Sequence, residues 1–128
     1  MVEYLCRKGH RRIGILAATP QDESIGHLRL EGYRKALADY GIDPEPSWCF
    51  YSPENMNWYT MANGYGLMKK LMASGEKLTA VFAISDSLAI GACKAVFDAG
   101  KSVPEDYSIA GFDGLDMAHY YLSLIHIS

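Results

Sequence analysis

Four short apolar runs, at residues 13–17, 48–51, 80–84 and 107–112, recur about every thirty residues along the chain. Each is continuous rather than alternating, which predicts strands covered on both faces. The stretches between them have helical spacing. Leu30, Tyr33, Leu37 and Tyr40 fall three or four apart, as do Met61, Tyr65, Met68 and Met72. Ala89, Cys93 and Val96, with Phe97 beside them, form a third stripe. Gly41, Gly75 and Gly100 stand just past these stripes, where a left-handed residue closes a helix. Ser85-Asp86-Ser87 offers capping oxygens to the helix after the third strand, and Val103-Pro104-Glu105-Asp106 reads as a turn. Tyr4 and Leu5 read as the last turn of a helix. Strand–helix alternation predicts an α/β fold, a doubly wound and mostly parallel sheet with helices on both faces and right-handed crossovers. Ligands bind such sheets beyond the carboxyl ends of the strands. Here those ends point to residues 18–29, 52–59, 85–87 and 113–116.

Composition narrows the function classes. The chain has 128 residues, 49% of them hydrophobic and 21% charged, an ordinary globular mix and enough to bury a core. Its 12 basic and 15 acidic residues give a net charge of −3. That is no basic field for nucleic acid and no pull toward an anionic membrane. No apolar run approaches the roughly 20 residues of a bilayer span, and no secretory leader opens the chain. The basic stretch Arg7-Lys8, His10-Arg11-Arg12 reads as a solvated helix end and strand entry. Cys6, Cys49 and Cys93 are odd in number and far apart, and read as reduced, mostly buried thiols. The methionines of the second stripe read as core.

Motifs of cofactor and catalytic chemistry fail on spacing. Gly100-Lys101-Ser102 resembles a P-loop tail, but position 95 is alanine and the segment ends a helix instead of opening one. Gly64-Tyr65-Gly66 lacks the third glycine of a dinucleotide fingerprint, since position 69 is lysine. No Gly-x-Ser-x-Gly elbow occurs. His10, His27, His119 and His126 have no second His or Cys at ligand spacing, so no metal site is expected. Asp86 and Asp113 end different strands without the partner carboxylates of a receiver domain. No cofactor and no catalytic residues are expected.

Four segments together resemble the LacI family of bacterial transcription regulators. Gly9-His10-Arg11-Arg12-Ile13-Gly14 resembles that family's entry into a strand. Arg29-Leu30-Glu31-Gly32-Tyr33 resembles its Arg-x-x-Gly-Tyr helix. Thr79-Ala80-Val81-Phe82-Ala83-Ile84-Ser85-Asp86-Ser87-Leu88-Ala89-Ile90-Gly91 resembles its Thr-Ala-(apolar)-(Asn/Ser)-Asp-x-x-Ala-x-Gly stretch. Val103-Pro104-Glu105-Asp106-Tyr107-Ser108-Ile109-Ala110-Gly111-Phe112-Asp113 resembles its Val-Pro-x-Asp to Gly-(aromatic)-Asp run. Each motif is weak alone, but their order and spacing make them strong together. The resemblance implies one lobe of a periplasmic-binding-protein-like sensor: the C-terminal lobe, residues 1–121, incomplete at both ends. It implies a small-molecule effector, in this family usually a sugar or a purine and here a sugar first, in a cleft between two lobes. It implies a cytoplasmic homodimer that reaches operator DNA through an N-terminal helix-turn-helix preceding residue 1. Residues 122–128 depart from the family's Leu-Thr-Thr continuation and read as a non-native tail. The alternatives are a periplasmic sugar receptor of a transport system, which would need an export signal, and an enzyme on a doubly wound sheet, which would need a nucleophile–base pair.

Arg29 matches the family's effector-binding arginine, and its planar donor fork suits vicinal hydroxyls or a carboxylate. The alternative is a solvated arginine or one in a lobe–lobe salt bridge. Asp113 ends the last strand, and its carboxylate can accept from two sugar hydroxyls, or else caps a turn beside Gly114. Ser85 stands where relatives direct asparagine or serine toward the effector, while Asp86 reads first as a helix cap and second as a ligand contact. Tyr59, with Trp58 beside it, fits the family's aromatic position for stacking on a sugar face, with simple packing as the alternative.

Overall fold

Ile13–Ala17 forms strand β1, and all five of its residues are buried, as an unbroken apolar run requires of a central strand. Helix α1 (Val2–Arg7) precedes it and helix α2 (Ile25–Asp39) follows. Then come β2 (Cys49–Tyr51), α3 (Met61–Ala73), β3 (Ala80–Ala83), α4 (Asp86–Asp98) and β4 (Ser108–Ala110). This computed structural model describes residues 2–17, 25–52, 60–103 and 105–111, with the backbone alone at 25–27. The tail at 122–128 lies outside the described residues.

The strands make one parallel sheet in the order β2-β1-β3-β4. Ile13 pairs with Ala80 and Leu16 with Ala83 across β1 and β3. Helices α1 and α2 pack together, as do α3 and α4. The predicted doubly wound α/β fold is what forms. β1 connects outward to β2 on one side, and β3 connects outward to β4 on the other. The chain therefore reverses its winding direction between β1 and β3.

Predicted boundaries shift at β2, β3 and β4, and three residues of the predicted stripes are exposed. Trp48 belongs to a 3-10 turn (Pro46–Trp48) and not to β2. Pro46 sets the turn's φ and lacks the N–H that a strand would use. Trp48 is buried under the Arg12 guanidinium, 5.4 Å from the ring centroid. Ile84, Tyr107 and Gly111 fall just outside β3 and β4, and Phe112 lies outside the described residues. Met61 is 55% exposed, Phe97 58% and Tyr40 38%, so none of them belongs to the core. The buried stripe of α3 instead runs through Asn63, Gly64, Leu67, Met68 and Leu71. Of the predicted stripe, Met68 is fully buried and Met72 packs half-buried against the core; Leu67 and Leu71 join them on the inner face, where Leu71 reaches Gly14 of β1. Gly41, Gly75 and Gly100 do have positive φ. At Gly41 and Gly100 the next amide reaches back five residues, Ile42 to Leu37 O and Lys101 to Val96 O, which closes the helix carbonyls.

Helices α3 and α4 touch backbone to backbone. A Cβ on Gly64 would stand 2.2 Å from Leu88 O, and one on Gly91 would stand 1.9 Å from Met61 O. Neither obstacle is a movable side chain, so an added methyl must push the helices apart. Gly64→Ala and Gly91→Ala should each lower unfolding stability by about 2 kcal/mol or more in urea titrations. Gly66→Ala, where a Cβ meets nothing within 4 Å, should raise it by about 0.5–1 kcal/mol.

His10 clasps the opposite edge of the sheet. Its Nδ1 lies 2.9 Å from Thr79 Oγ1 and its Nε2 lies 3.1 Å from Ser108 Oγ. The Thr79 hydroxyl donates to Arg12 O at 3.4 Å, which leaves His10 Nδ1–H as donor and Nε2 as acceptor. Partial burial, with help from Lys8, holds the His10 pKa below its ordinary value. The unfolded chain therefore takes up the proton first as pH falls. The His10 contribution is fully present above about pH 6.5 and is lost as pH drops below that value. Urea titrations at pH 7.5 and pH 5 should show a smaller acid loss of stability in His10→Gln than in the unmodified chain.

Candidate ligand-binding site

The reversal between β1 and β3 leaves a crevice at their carboxyl ends, the position where open parallel sheets bind ligands. Two chain exits define it: Ala17 at the end of β1, and Ile84 just past β3. The Ile84 amide donates to Leu16 O at 3.2 Å, carrying the β1–β3 ladder one residue past the last strand pair. The Ile84 side chain is fully buried, which fixes its backbone at the crevice floor.

Arg29 reaches this point from α2. It is half-buried, and its Nη1 donates to the Ile84 carbonyl. Its neighbours in the sequence explain its placement. Leu30, Tyr33 and Leu37 bury the inner face of α2, and the Tyr33 hydroxyl donates to Ile13 O at 2.6 Å. Burial pushes the Tyr33 hydroxyl pKa up, so it stays a neutral donor. This anchoring fixes the rotation of α2, and Arg29 is then carried to the sheet's carboxyl end.

Ser85 follows Ile84 and is the N-cap of α4, its Oγ accepting from the Leu88 amide at 3.3 Å. The cap is thus Ser85 and not Asp86. Ser85 has the extended backbone of a cap, φ −147° and ψ 159°, while Asp86 is already the first helical residue. Asp86 there complements the positive helix end. The Ser85 hydroxyl can still donate a hydrogen bond while it accepts one. Arg29 and Ser85 are accordingly brought to the same end of the sheet. Asp113, Trp58 and Tyr59 lie outside the described residues.

Two further residues stand at this end: Ser52, which opens the 52–59 stretch the strand ends pointed to, and Asn63, which the sequence pattern did not single out. Ser52, the first residue past β2, donates through both its amide and its hydroxyl to Ala17 O, at 3.1 and 3.2 Å. Asn63, in the first turn of α3, donates through Nδ2 to Ser52 Oγ at 2.5 Å. The only sequence cue was the Thr60-x-x-Asn63 spacing, in which Thr60 Oγ1 caps α3 by accepting from the Asn63 amide. Tyr51, the last residue of β2, has its phenol pKa pushed up by burial. Among the described residues, no group of three His, Cys, Asp or Glu could hold a metal ion. No helix among them is long and apolar enough to cross a membrane.

The comparisons agree with this geometry. The periplasmic binding protein-like domain family matches residues 2–128. The HTH-type transcriptional repressor PurR of Pasteurella multocida is 36% identical over 132 residues, covering 98% of this chain and 37% of that protein. A sugar-binding LacI-family regulator from Escherichia coli, solved with phosphate, is 34% identical with a TM-score of 0.80, covering 94% of this chain and 41% of that one. The regulator CelR in complex with cellobiose is 34% identical with a TM-score of 0.76, covering 86% and 32% respectively. The fold and its switch-point crevice define a periplasmic-binding-protein-like ligand-binding domain. The chain belongs to that family, among the effector-binding domains of LacI-family transcription regulators. It spans about two fifths or less of the length of these relatives.

Proposed function

We propose that this chain is the effector-sensing lobe of a LacI-type transcription regulator, and that it grips a small hydroxylated ligand, a sugar, at the carboxyl ends of β1 and β3. The observation that carries this reading is the Arg29 guanidinium docked on the Ile84 carbonyl at the point where the sheet's winding reverses. An arginine fork held half-buried there presents planar donors to vicinal hydroxyls. Ser85 adds a hydroxyl at the same end. Asp113 would accept from sugar hydroxyls, Tyr59 with Trp58 would stack on the sugar face, and Asp86 is a secondary contact. The cellobiose held by CelR and the sugar-binding Escherichia coli relative favour a sugar. The lobe runs through residue 121 on this reading, which assigns no catalytic step, no cofactor and a cytoplasmic location.

Binding would bias two relative orientations of the lobes, and so the affinity of the intact regulator for operator DNA through its N-terminal domain. The ligand must favour one orientation, or nothing is transmitted. The intact regulator acts as a homodimer on this reading. Met61, Ala62, Tyr65, Ile90, Gly91 and Lys94 line a groove of about 400 Å³ across α3 and α4, and the exposed Met61 is apolar surface that a second copy would cover. Regulators rather than transport receptors among the relatives set this reading above that of a periplasmic sugar receptor.

Titration calorimetry against mono- and disaccharides, nucleosides and purine bases tests the ligand role. One sugar should bind. Arg29→Ala should abolish that binding, and Arg29→Lys should weaken it about tenfold or more by replacing a fork with a point charge. Unchanged affinity in both variants would remove Arg29 from the site. For pairing, Met61→Asp should shift sedimentation toward monomer without lowering unfolding stability, because this side chain contributes little to the core.

A further inference from the structure

Ser52 and Asn63 are 5% and 3% exposed, buried polar residues in an otherwise apolar core among the described residues. Burying a hydroxyl and a carboxamide is costly unless both are bonded, and apolar side chains of similar size would fill the same space without that demand. What the polar pair adds is direction. The Asn63 carboxamide donates to Ser52 Oγ, the Ser52 hydroxyl donates to Ala17 O, and the Ser52 amide donates to the same carbonyl. The first turn of α3 is thereby tied to the last residue of β1.

From there the contacts run on toward Arg29. Gly64, next to Asn63, abuts Leu88 O, and Gly91 abuts Met61 O, so α3 cannot slide without moving α4. α4 begins at its Ser85 cap, and Ser85 follows Ile84, whose carbonyl receives Arg29 and whose amide is held by Leu16. We propose that Asn63 and Ser52 are positioning residues for the effector site: they set α3 against the carboxyl end of β1 and, through the α3–α4 contact, set the Ile84–Ser85 corner that Arg29 grips. The site itself rests on the function proposed above, but the positioning claim can be tested without any effector.

The test is amide hydrogen exchange by NMR on the ligand-free chain, comparing the unmodified protein with Asn63→Ala, the milder Ser52→Ala, and Ser52→Thr, which keeps the hydroxyl. Asn63→Ala and Ser52→Ala should speed exchange at Ser52, Ile84 and Leu88 about tenfold relative to the β4 amides. Ser52→Thr should restore the original pattern. Faster exchange confined to Ser52 and Asn63, or spread evenly over the whole sheet, would overturn the proposal, because the pair would then be a local or merely structural bond. Where cellobiose binds the unmodified protein, its Kd should rise about tenfold in Asn63→Ala and in Ser52→Ala and stay unchanged in Ser52→Thr. Failure of cellobiose to bind would count against that sugar and leave the exchange pattern to decide the positioning role.

Discussion

The parallel pairing of β1 with β3 is the constraint on which the rest depends. These two strands lie side by side in the sheet, but α2, β2 and α3 separate them in sequence. The chain leaves β1 toward one side and leaves β3 toward the other, so the two exits diverge. A crevice follows from topology before any side chain is specified. The amide of Ile84, bonded to Leu16 O, carries the β1–β3 pairing one residue past the strands. Among the described residues, those assigned to the site are positioned relative to this pair: Arg29 by its bond to Ile84 O, Ser85 by chain connection, and Ser52 by its bonds to Ala17 O.

The two edges of the sheet have different characters. At the amino-terminal edge, His10, Thr79 and Ser108 lock three strands with side-chain bonds. This gives the Gly-His-Arg-Arg-Ile segment a physical role in holding register, apart from ligand chemistry. At the carboxyl edge, polar groups are likewise bonded to backbone carbonyls, but around a crevice. Rigidity at one edge and a preorganised opening at the other is what a binding lobe needs, since a ligand then loses little affinity to ordering the site.

The sequence pattern made most of the fold legible. Unbroken apolar runs marked buried strands, and β1 matched residue for residue because both faces of that strand are covered. Closing glycines were equally legible, since only a residue at ease with positive φ ends a helix in that way. Helix faces were less so. The buried face of α3 is rotated toward Leu67 and Leu71 relative to the methionine stripe: Met68 stays fully buried, Met72 packs half-buried against the core and Met61 is exposed, while the contact with α4 adds Gly64. Such a rotation cannot be read from periodicity when apolar residues occupy both registers. Arg29 and Ser85 were legible through family resemblance, which the sheet topology then placed at one end. Ser52 was legible only as the start of the 52–59 stretch beyond β2, and its bond to Asn63 was not, because a buried amide–hydroxyl bond has no sequence signature beyond two ordinary polar residues eleven positions apart. The cap at α4 was assigned to Asp86 on residue type, while backbone conformation gives it to Ser85.

The most direct test of the account is a map of backbone amide shifts as a binding sugar is titrated into the isotopically labelled protein. The largest shifts are expected at Ala17, Arg29, Ile84 and Ser85, the residues around the β1–β3 reversal. Shifts concentrated instead at His10, Thr79 and Ser108, or along the outer groove of α3 and α4, would place the ligand elsewhere and contradict it.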